Sequence, residues 1–318
     1  MTTPPPRVAL LVATDRGARV LERVLEYVVA HAPGAQFLVC SFPEAGDEPR
    51  YLARIRGTAA AAGAVFLEAR DVAAARHRAA WDAFAPDLLL AVSWRYLVPP
   101  AVYARAARGA FVFHDSLLPA YRGFAPTVWA MLNGERETGA TLFAMDEGVD
   151  EGAIVGQTAV PIAPDDTIAE VGERVTRAYL ALLDTHLPGL LAGTAPRRPQ
   201  DHARATYTCR RLPEDNRVDW AAPPEVTLRL VRAATRPYPG AFTTLDGVCL
   251  RIWRARSDAG APRYVGRVAG RVVGPVPGGG VRVLAGDGSL VLERVQRDGD
   301  AEADAAVVLT STRTTLGR

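Results

Sequence analysis

The sequence predicts an α/β protein built on a doubly wound, mostly parallel sheet followed by a small antiparallel β-barrel. In the first two-thirds of the 318-residue chain, short apolar runs alternate with amphipathic segments of helical period. Apolar strands separated by helices indicate parallel strands that are covered on both faces. After residue 204, short alternating runs with Gly and Pro turns between them favour a barrel. We therefore expect one domain over residues 1–203 and a second over residues 204–318.

The elements of the first domain follow from this alternation. The predicted strands are Val8–Ala13, Gln36–Cys40, Ala64–Leu67, Asp87–Val92 and Ala110–Phe113. The predicted helices between the early strands are Ala18–Ala30, Tyr51–Ala62 and Val72–Phe84. Two further strands, Thr138–Met145 and Ala153–Ile162, precede a long helix over Asp165–Leu191 with an Asp-rich start.

A segment rich in Pro, Gly and Arg, Pro188–Arg204, is interpreted as a linker. Beyond it, the alternating pattern predicts four strands of the barrel. These are Val248–Ala255, Tyr264–Val273, Val281–Ala285 and Ser289–Gln296. The glycines of Pro275–Gly280 predict a turn and not a phosphate loop, because neither a helix nor a Gly-Lys-Ser/Thr motif follows.

Composition excludes several classes of function. No apolar run approaches the roughly 20 residues that span a bilayer, and the N-terminus lacks the charged start of a signal peptide. The three cysteines are scattered, so no disulfide framework is implied and no metal site is predicted. We expect a cytoplasmic protein without a membrane partner. A net charge of +2 makes nucleic acid an unfavoured partner.

The most informative run extends from Gly109 to Gln157. A strand ends at His114, a turn dense in Pro and Gly follows over Ser116–Gly123, and Asp150 lies later in a loop flanked by glycines. We expect the imidazole and the carboxylate to lie together where ligands bind at the edge of an open α/β sheet. Ser116 is expected to fix the turn by hydrogen bonding.

This run resembles the catalytic segment of the 10-formyltetrahydrofolate-dependent formyltransferases. Their pattern reads roughly Asn-x-His-x-Ser-x-Leu-Pro-x-x-x-Gly, followed further along by Asp-x-Gly. The matching positions are His114, Ser116, Leu118, Pro119, Gly123, Asp150 and Gly152. The resemblance implies a Rossmann-like core followed by an OB-like barrel. The segments Arg210–Trp220 and Arg236–Phe242 are most similar to enzymes that formylate nucleotide-linked amino sugars.

The resemblance implies that His114 acts as general base with Asp150 as its partner, and that no metal takes part. Valine stands at position 112, where the family has the asparagine that helps hold the formyl oxygen. Losing one such donor costs about 2.7–4 kcal/mol of barrier in other enzymes. Val112, Asp115 and Ser116 are therefore candidate auxiliary positions, with a backbone N–H or a water held by Asp115 or Ser116 as the replacement donor. Arg122 is either a solvated charge or a contact for an acidic acceptor.

The resemblance also predicts the residues that hold the folate co-substrate. Most of them lie where the fourth predicted strand leaves the sheet, and the others lie in the motif turn and in the loop before Asp150. They are Ser93, Trp94, Arg95, Tyr96, Leu97, Leu118, Pro119 and Gly148. The aromatic rings of Trp94 and Tyr96 are open to a second interpretation, as packing side chains.

The leading hypothesis is an enzyme of one-carbon transfer that moves a formyl group from 10-formyltetrahydrofolate to a small-molecule amine. The acceptor is a nucleotide-linked amino sugar, or an amino acid such as a siderophore precursor. The alternatives are formylation of initiator methionyl-tRNA, and a folate-binding protein or formyl hydrolase whose chemistry is diverted because of Val112. The net acidic stretch Phe42–Tyr51 disfavours tRNA. The sequence leaves the oligomeric state open, with a homodimer as one alternative.

Overall fold

The computed structural model describes residues 4–46 and 48–318. These residues form two compact units, and neither unit is continuous in sequence. The first contains the described part of Met1–Pro126 together with Glu137–Pro161 and Glu173–Cys209. The second contains Thr127–Arg136, Ile162–Gly172 and Arg210–Arg318. The predicted boundary between residues 203 and 204 stays a prediction.

The strands up to residue 209 are nine in number among the described residues. They are β1 (Arg7–Val12), β2 (Gln36–Ser41), β3 (Val65–Glu68), β4 (Leu88–Val92), β5 (Ala110–His114), β6 (Arg122–Gly123), β7 (Glu137–Ala144), β8 (Ile154–Pro161) and β9 (Tyr207–Thr208). The helices in the same stretch are α1 (Thr14–His31), α2 (Leu52–Ala61), α3 (Ala75–Phe84), α4 (Pro100–Tyr103), α5 (Pro126–Asn133) and α6 (Ile168–Ala192).

Seven of these strands form one sheet in the order β3-β2-β1-β4-β5-β7-β8. The pairs from β3 to β5 are parallel, and β7 and β8 add two antiparallel pairs. Every residue of β4 is buried, as expected for a strand covered on both faces. The chain leaves β1 toward β2 on one side and returns through β4 on the other, which creates a topological switch point. The predicted fold class is confirmed.

The interpretation of Pro188–Arg204 as a linker is wrong at both ends of the segment. Helix α6 continues through Pro188 to Ala192. Arg198 then exchanges two backbone hydrogen bonds with Ile154, at 2.7 and 2.8 Å, and so extends the edge of β8. Gln200 is buried. A proline-rich composition does not reveal that these backbone groups complete the edge of a sheet.

The remaining elements build a β-rich second unit. They are α7 (Pro224–Ala234), β10 (Ala241–Leu245), β11 (Val248–Ser257), β12 (Val272–Pro275), β13 (Val281–Ala285), β14 (Gly288–Arg297), β15 (Ala303–Asp304) and α8 (Ala305–Val308). The antiparallel order is β10-β11-β14-β13-β12, with β15 paired to β14. Strand side chains such as Leu250, Val283 and Leu292 are fully buried and form its core.

One predicted strand of this unit is largely wrong. Most of Tyr264–Val273 contains no strand, and β12 begins only at Val272. Gly270 has a φ of 78°, in the left-handed region, and its N–H binds the Leu284 carbonyl at 2.8 Å. The alternation of valines with Gly and Arg therefore belongs to an irregular approach to the strand.

Candidate active site

His114 is the last residue of β5, and the residue is 8% exposed. Its Nε2 lies 2.8 Å from the Tyr121 carbonyl oxygen, and its Nδ1 lies 3.5 Å from Asp150 Oδ2. A carbonyl oxygen can only accept, so Nε2 carries the proton of the neutral ring. Nδ1 is then the basic nitrogen. The Asp150 carboxylate faces this nitrogen.

Asp150 reaches the imidazole by a route that the sequence did not indicate. Strand β7 runs antiparallel to β5, and the Met145 N–H binds the Ala110 carbonyl at 2.8 Å, beside the start of β5. The loop that carries Asp150 therefore leaves the sheet near the amino end of β5 and folds back toward His114. The Asp150 carboxylate nevertheless lies 3.5 Å from His114 Nδ1, at the carboxyl end of β5.

The Asp150 carboxylate is held from the motif turn. Its Oδ2 accepts a hydrogen bond of 2.8 Å from the Gly123 N–H. The backbone of Asp150 has a φ of 54°, in the left-handed region that favours glycine but that Asp tolerates. The turn itself contains left-handed residues at Tyr121, Gly123 and Ala125, with φ of 59°, 103° and 49°. Such backbone is found preferentially at functional sites.

The Ser116 hydroxyl fixes the turn. It donates to the Ala120 carbonyl at 2.6 Å, and the Ser116 carbonyl accepts from Thr141 Oγ1, also at 2.6 Å. Thr141 Oγ1 in turn accepts from the Leu118 N–H at 3.3 Å. The Ser116 hydroxyl, which we expected to stabilise the turn, therefore donates its proton to the Ala120 carbonyl.

Asp115 lies in a separate ionic cluster. Its carboxylate accepts from Arg16 Nη1 at 2.5 Å and from the Tyr179 hydroxyl. Tyr179 stacks on Phe113, so the cluster lies on the opposite side of β5 from His114. Burial raises the pKa of Asp115, but the Arg16 guanidinium and the Tyr179 hydroxyl outweigh it and hold that pKa below its ordinary value. Burial and the Asp115 charge raise the pKa of Tyr179. The Asp115 carboxylate is thus bound by Arg16 and Tyr179.

Val112 lies on the same side of β5 as His114 and is half-buried. Its side chain packs against Leu118, Phe143 and Ile154. This environment is apolar, and valine offers no hydrogen-bond donor to it. The side chain at position 112 therefore contributes shape to the site but no polar contact.

The exit of β4 brings the predicted folate-binding segment to the carboxyl edge of the sheet. Ser93 has a left-handed φ of 55°, and Leu97 is 87% exposed. Trp94 and Tyr96 pack edge-on against Phe42, with ring centroids 5.2 and 4.9 Å apart. Trp94 Nε1 is buried and, among the described residues, has no hydrogen-bond partner. A buried donor of this kind fits a polar ligand or an ordered water.

The remaining predicted folate contacts are spread over two segments. Leu118 is buried in the motif turn, and Pro119 follows it through a cis peptide bond. Gly148 lies in the exposed part of the loop before Asp150. A Cβ at Gly148 would meet only the side chain of Glu151, which can move aside. Arg95 pairs with Glu48 and lies over the Phe42 ring.

Arg122 is fully buried, and its interpretation as a solvated charge is wrong. Its guanidinium contacts Gln200, which sequence reasoning missed because this residue lies in the supposed linker. Gln200 does not belong to a periodic hydrophobic pattern, so the sequence gives no signal for it. In the described ranges, 4–46 and 48–318, no group of three or more His, Cys, Asp or Glu side chains could hold a metal ion.

Models of known protein families match two parts of the sequence. A family model described as formyl transferase matches residues 22–185, which include His114 and Asp150. A second model, described as the formyl transferase C-terminal domain, matches residues 212–313. The chain belongs to the formyl transferase family. Both parts of this formyl transferase are thus matched, the sheet with the motif and the β-rich second unit.

Solved structures share the fold at low sequence identity. HypX from Aquifex aeolicus, in complex with tetrahydrofolic acid, matches at 18% identity and a TM-score of 0.64, over 96% of this chain and 47% of HypX. This chain therefore spans about half the length of HypX. The sugar 3N-formyl transferase WlaRD, solved with dTDP and 5-N-formyl-THF, matches at 13% identity and a TM-score of 0.65, over 94% and 100% of the two chains. Methionyl-tRNA formyltransferase from Clostridium thermocellum matches at 17% and 0.58, over 80% and 95%.

Proposed function

We propose that the protein transfers a formyl group from 10-formyltetrahydrofolate to the amine of a small molecule. The single observation that carries the proposal is the His114 to Asp150 geometry within a chain of the formyl transferase family. The co-substrate supplies an activated formyl group when it is bound. HypX and WlaRD, which share the fold, were solved with tetrahydrofolic acid and with 5-N-formyl-THF.

His114 acts as the base in this proposal. The Tyr121 carbonyl fixes the ring by accepting from Nε2, so Nδ1 is left to take the proton that the attacking amine loses. Asp150 stabilises the resulting imidazolium from 3.5 Å. The Gly123 N–H holds the carboxylate in place during this step.

The folate co-substrate is proposed to lie between the β4 exit and the Asp150 loop. Ser93, Trp94, Arg95, Tyr96 and Leu97 leave the sheet there, and Trp94 Nε1 is a buried donor without a partner in the described chain. Leu118 and Pro119 are proposed to shape the opposite wall, and Gly148 to lie beside the co-substrate in the Asp150 loop. This assignment extends the sequence prediction, and measuring the binding of the folate co-substrate tests it.

The acceptor is proposed to be an amino sugar linked to a nucleotide, or an amino acid. The match to WlaRD over 94% of this chain supports the first of these. A screen of candidate amines with 10-formyltetrahydrofolate tests the proposal. We expect the mass of one formyl group to be added to one class of amine, and absence of transfer to every class would contradict it.

One observation favours a second function, hydrolysis of the formyl donor. Val112 supplies no donor for the formyl oxygen, and Asp115 and Ser116 are committed to other partners. A diverted enzyme would pass the formyl group to water. Release of tetrahydrofolate and formate in the absence of any amine, at a rate that added amines do not raise, would identify the hydrolase.

A further inference from the structure

The Arg122 side chain is 0% exposed, and a buried guanidinium is costly unless its donors are satisfied. Its Nε and Nη2 donate to Gln200 Oε1 at 3.2 and 2.8 Å, and Nη2 also lies 3.3 Å from His202 Nδ1. Its Nη1 donates to Glu151 Oε1 at 3.2 Å and to the Tyr207 hydroxyl at 3.0 Å. All the donors of the guanidinium fork are thereby used.

Gln200 transmits this arrangement to the loop that carries Asp150. Its Oε1 faces the guanidinium, so its Nε2 must face the other way. Nε2 donates to the carbonyl oxygens of Asp150 and Gly152, both at 2.8 Å. Gln200 is 6% exposed, so water has little access to these hydrogen bonds. The Gln200 amide therefore connects the buried Arg122 guanidinium to two carbonyl groups of the Asp150 loop.

These carbonyls belong to backbone with little freedom. Asp150 has a left-handed φ of 54°, and a Cβ at Gly152 would lie 1.8 Å from the Ala144 carbonyl oxygen. Arg122 also acts through its own backbone, because the Gly123 N–H that follows it holds Asp150 Oδ2 at 2.8 Å. The loop is thus held at its carbonyls by Gln200 and at its carboxylate by Gly123.

We infer that Arg122 and Gln200 are positioning residues, which act through the Asp150 loop to set the carboxylate against His114 Nδ1. The inference rests on the proposed function, because it assigns the pair a part in the transfer step. It differs from a purely structural role, in which Gln200 only satisfies the buried Arg122.

The substitution Gln200→Glu separates the two roles. A carboxylate keeps the acceptor for Arg122 but loses the N–H groups that bind Asp150 and Gly152. A positioning role predicts that kcat falls, on the order of 10²-fold, as for other misplaced catalytic groups, with little change in KM for the formyl donor. A kcat equal to that of the wild type in folded Gln200→Glu would overturn the inference.

Gln296→Glu is the matched control. The Gln296 amide accepts from Trp253 Nε1 and donates to the Asp300 carbonyl, both at 2.9 Å, in the second unit. This variant likewise keeps an acceptor and loses a donor to a carbonyl, and we expect wild-type kcat. If Gln200→Glu does not fold, Tyr207→Phe serves, because Tyr207 is exposed and binds Arg122 by its hydroxyl. A reduced kcat in Tyr207→Phe is expected, and an unchanged kcat would overturn the inference.

A spectroscopic measurement distinguishes a failure of the positioning inference from a failure of the proposed function. The ring ¹⁵N resonances of His114 report the contact of Nδ1 with Asp150 without any turnover. We expect them to shift in Gln200→Glu and not in Gln296→Glu. If wild-type protein transfers no formyl group, the proposed function fails, and these resonances still decide the inference. Identical His114 resonances in wild type and folded Gln200→Glu would refute it.

Discussion

At the scale of single residues, the valine at position 112 is the main departure from the family pattern. Its neighbours are apolar, while Asp115 binds Arg16 and the Ser116 hydroxyl donates to the Ala120 carbonyl. We propose a backbone N–H near His114 as the substitute donor. We expect such a donor to assist the formyl oxygen in place of the asparagine.

Val112→Asn should therefore change kcat by less than about tenfold, because the function of the amide is already supplied. The measurement is the rate of formyl transfer under saturating donor. Val112→Ala is the control, since it removes packing against Leu118 and Phe143 without adding a donor. A rise of about 10²-fold or more in Val112→Asn would show an unassisted oxyanion, and the hydrolase would become the better proposal.

Asp115 predicts a dependence of stability on pH. Its pKa is held below the ordinary value by Arg16 and Tyr179 against the effect of burial, so the ionised carboxylate stabilises the fold. This contribution is present above the unfolded pKa of about 3.9 and is lost as pH falls through the lower folded pKa. Asp115→Asn should cost roughly 1.5–3 kcal/mol of unfolding free energy at neutral pH.

Urea unfolding at neutral and at acidic pH measures this cost. The difference between wild type and Asp115→Asn should shrink as pH falls below about 4. Asp184→Asn is the control, because its pair with Arg23 is exposed and should contribute little at either pH. A difference that is the same at both pH values would contradict the ionic account of Asp115.

At the scale of elements, the sequence predicted the sheet well and the site partly. The seven strands of the sheet lie within one residue of the predicted ends. For β1, β2 and β4 the reason is that buried parallel strands are apolar almost throughout. Helix α7 was missed, although apolar residues recur in it at helical spacing, because it follows closely on proline-rich sequence. Gln200 and the pair of Arg16 with Asp115 were not predictable, since contacts between distant polar residues leave no periodic pattern.

The Asp150 loop is the element whose backbone should tolerate least change. A Cβ at Gly152 would lie 1.8 Å from the Ala144 carbonyl oxygen, so Gly152→Ala must displace the loop. We expect transfer to fall on the order of 10²-fold, with a lower melting temperature. Turnover and thermal unfolding measure the two effects.

Gly57→Ala is the matched control for that substitution. Gly57 lies inside α2 with open space around a Cβ, so alanine should stabilise the protein by about 0.5–1 kcal/mol and leave turnover unchanged. Wild-type turnover in Gly152→Ala would mean that the loop is not held as described.

At the scale of the whole molecule, charge argues against a nucleic-acid acceptor. The net charge is +2. Eight arginines of the second unit share five nearby carboxylates, which reduces their positive field. The pairs are Arg229 and Arg232 with Glu225, Arg236 and Arg294 with Glu302, Arg251 with Asp298, Arg254 and Arg256 with Glu293, and Arg282 with Asp258. No helix in the described residues is long and apolar enough to cross a bilayer.

Filter binding of tRNA at low and at moderate salt tests this conclusion. We expect only weak retention, with a dissociation constant no tighter than about 10⁻⁶ M at physiological salt, as for non-specific contact. Submicromolar binding that falls steeply with salt would indicate a set of phosphate contacts, and methionyl-tRNA would return as the acceptor.

The central claim is that His114 removes the proton of the amine with Asp150 as its partner. His114→Ala measures it most directly, with formyl transfer and binding of the formyl donor followed in the same preparation. His31→Ala is the control, since His31 is exposed on α1 and stacks on Tyr27. We predict a loss of transfer of about 10²–10⁴-fold with donor binding retained. Near-normal turnover in His114→Ala would contradict the account.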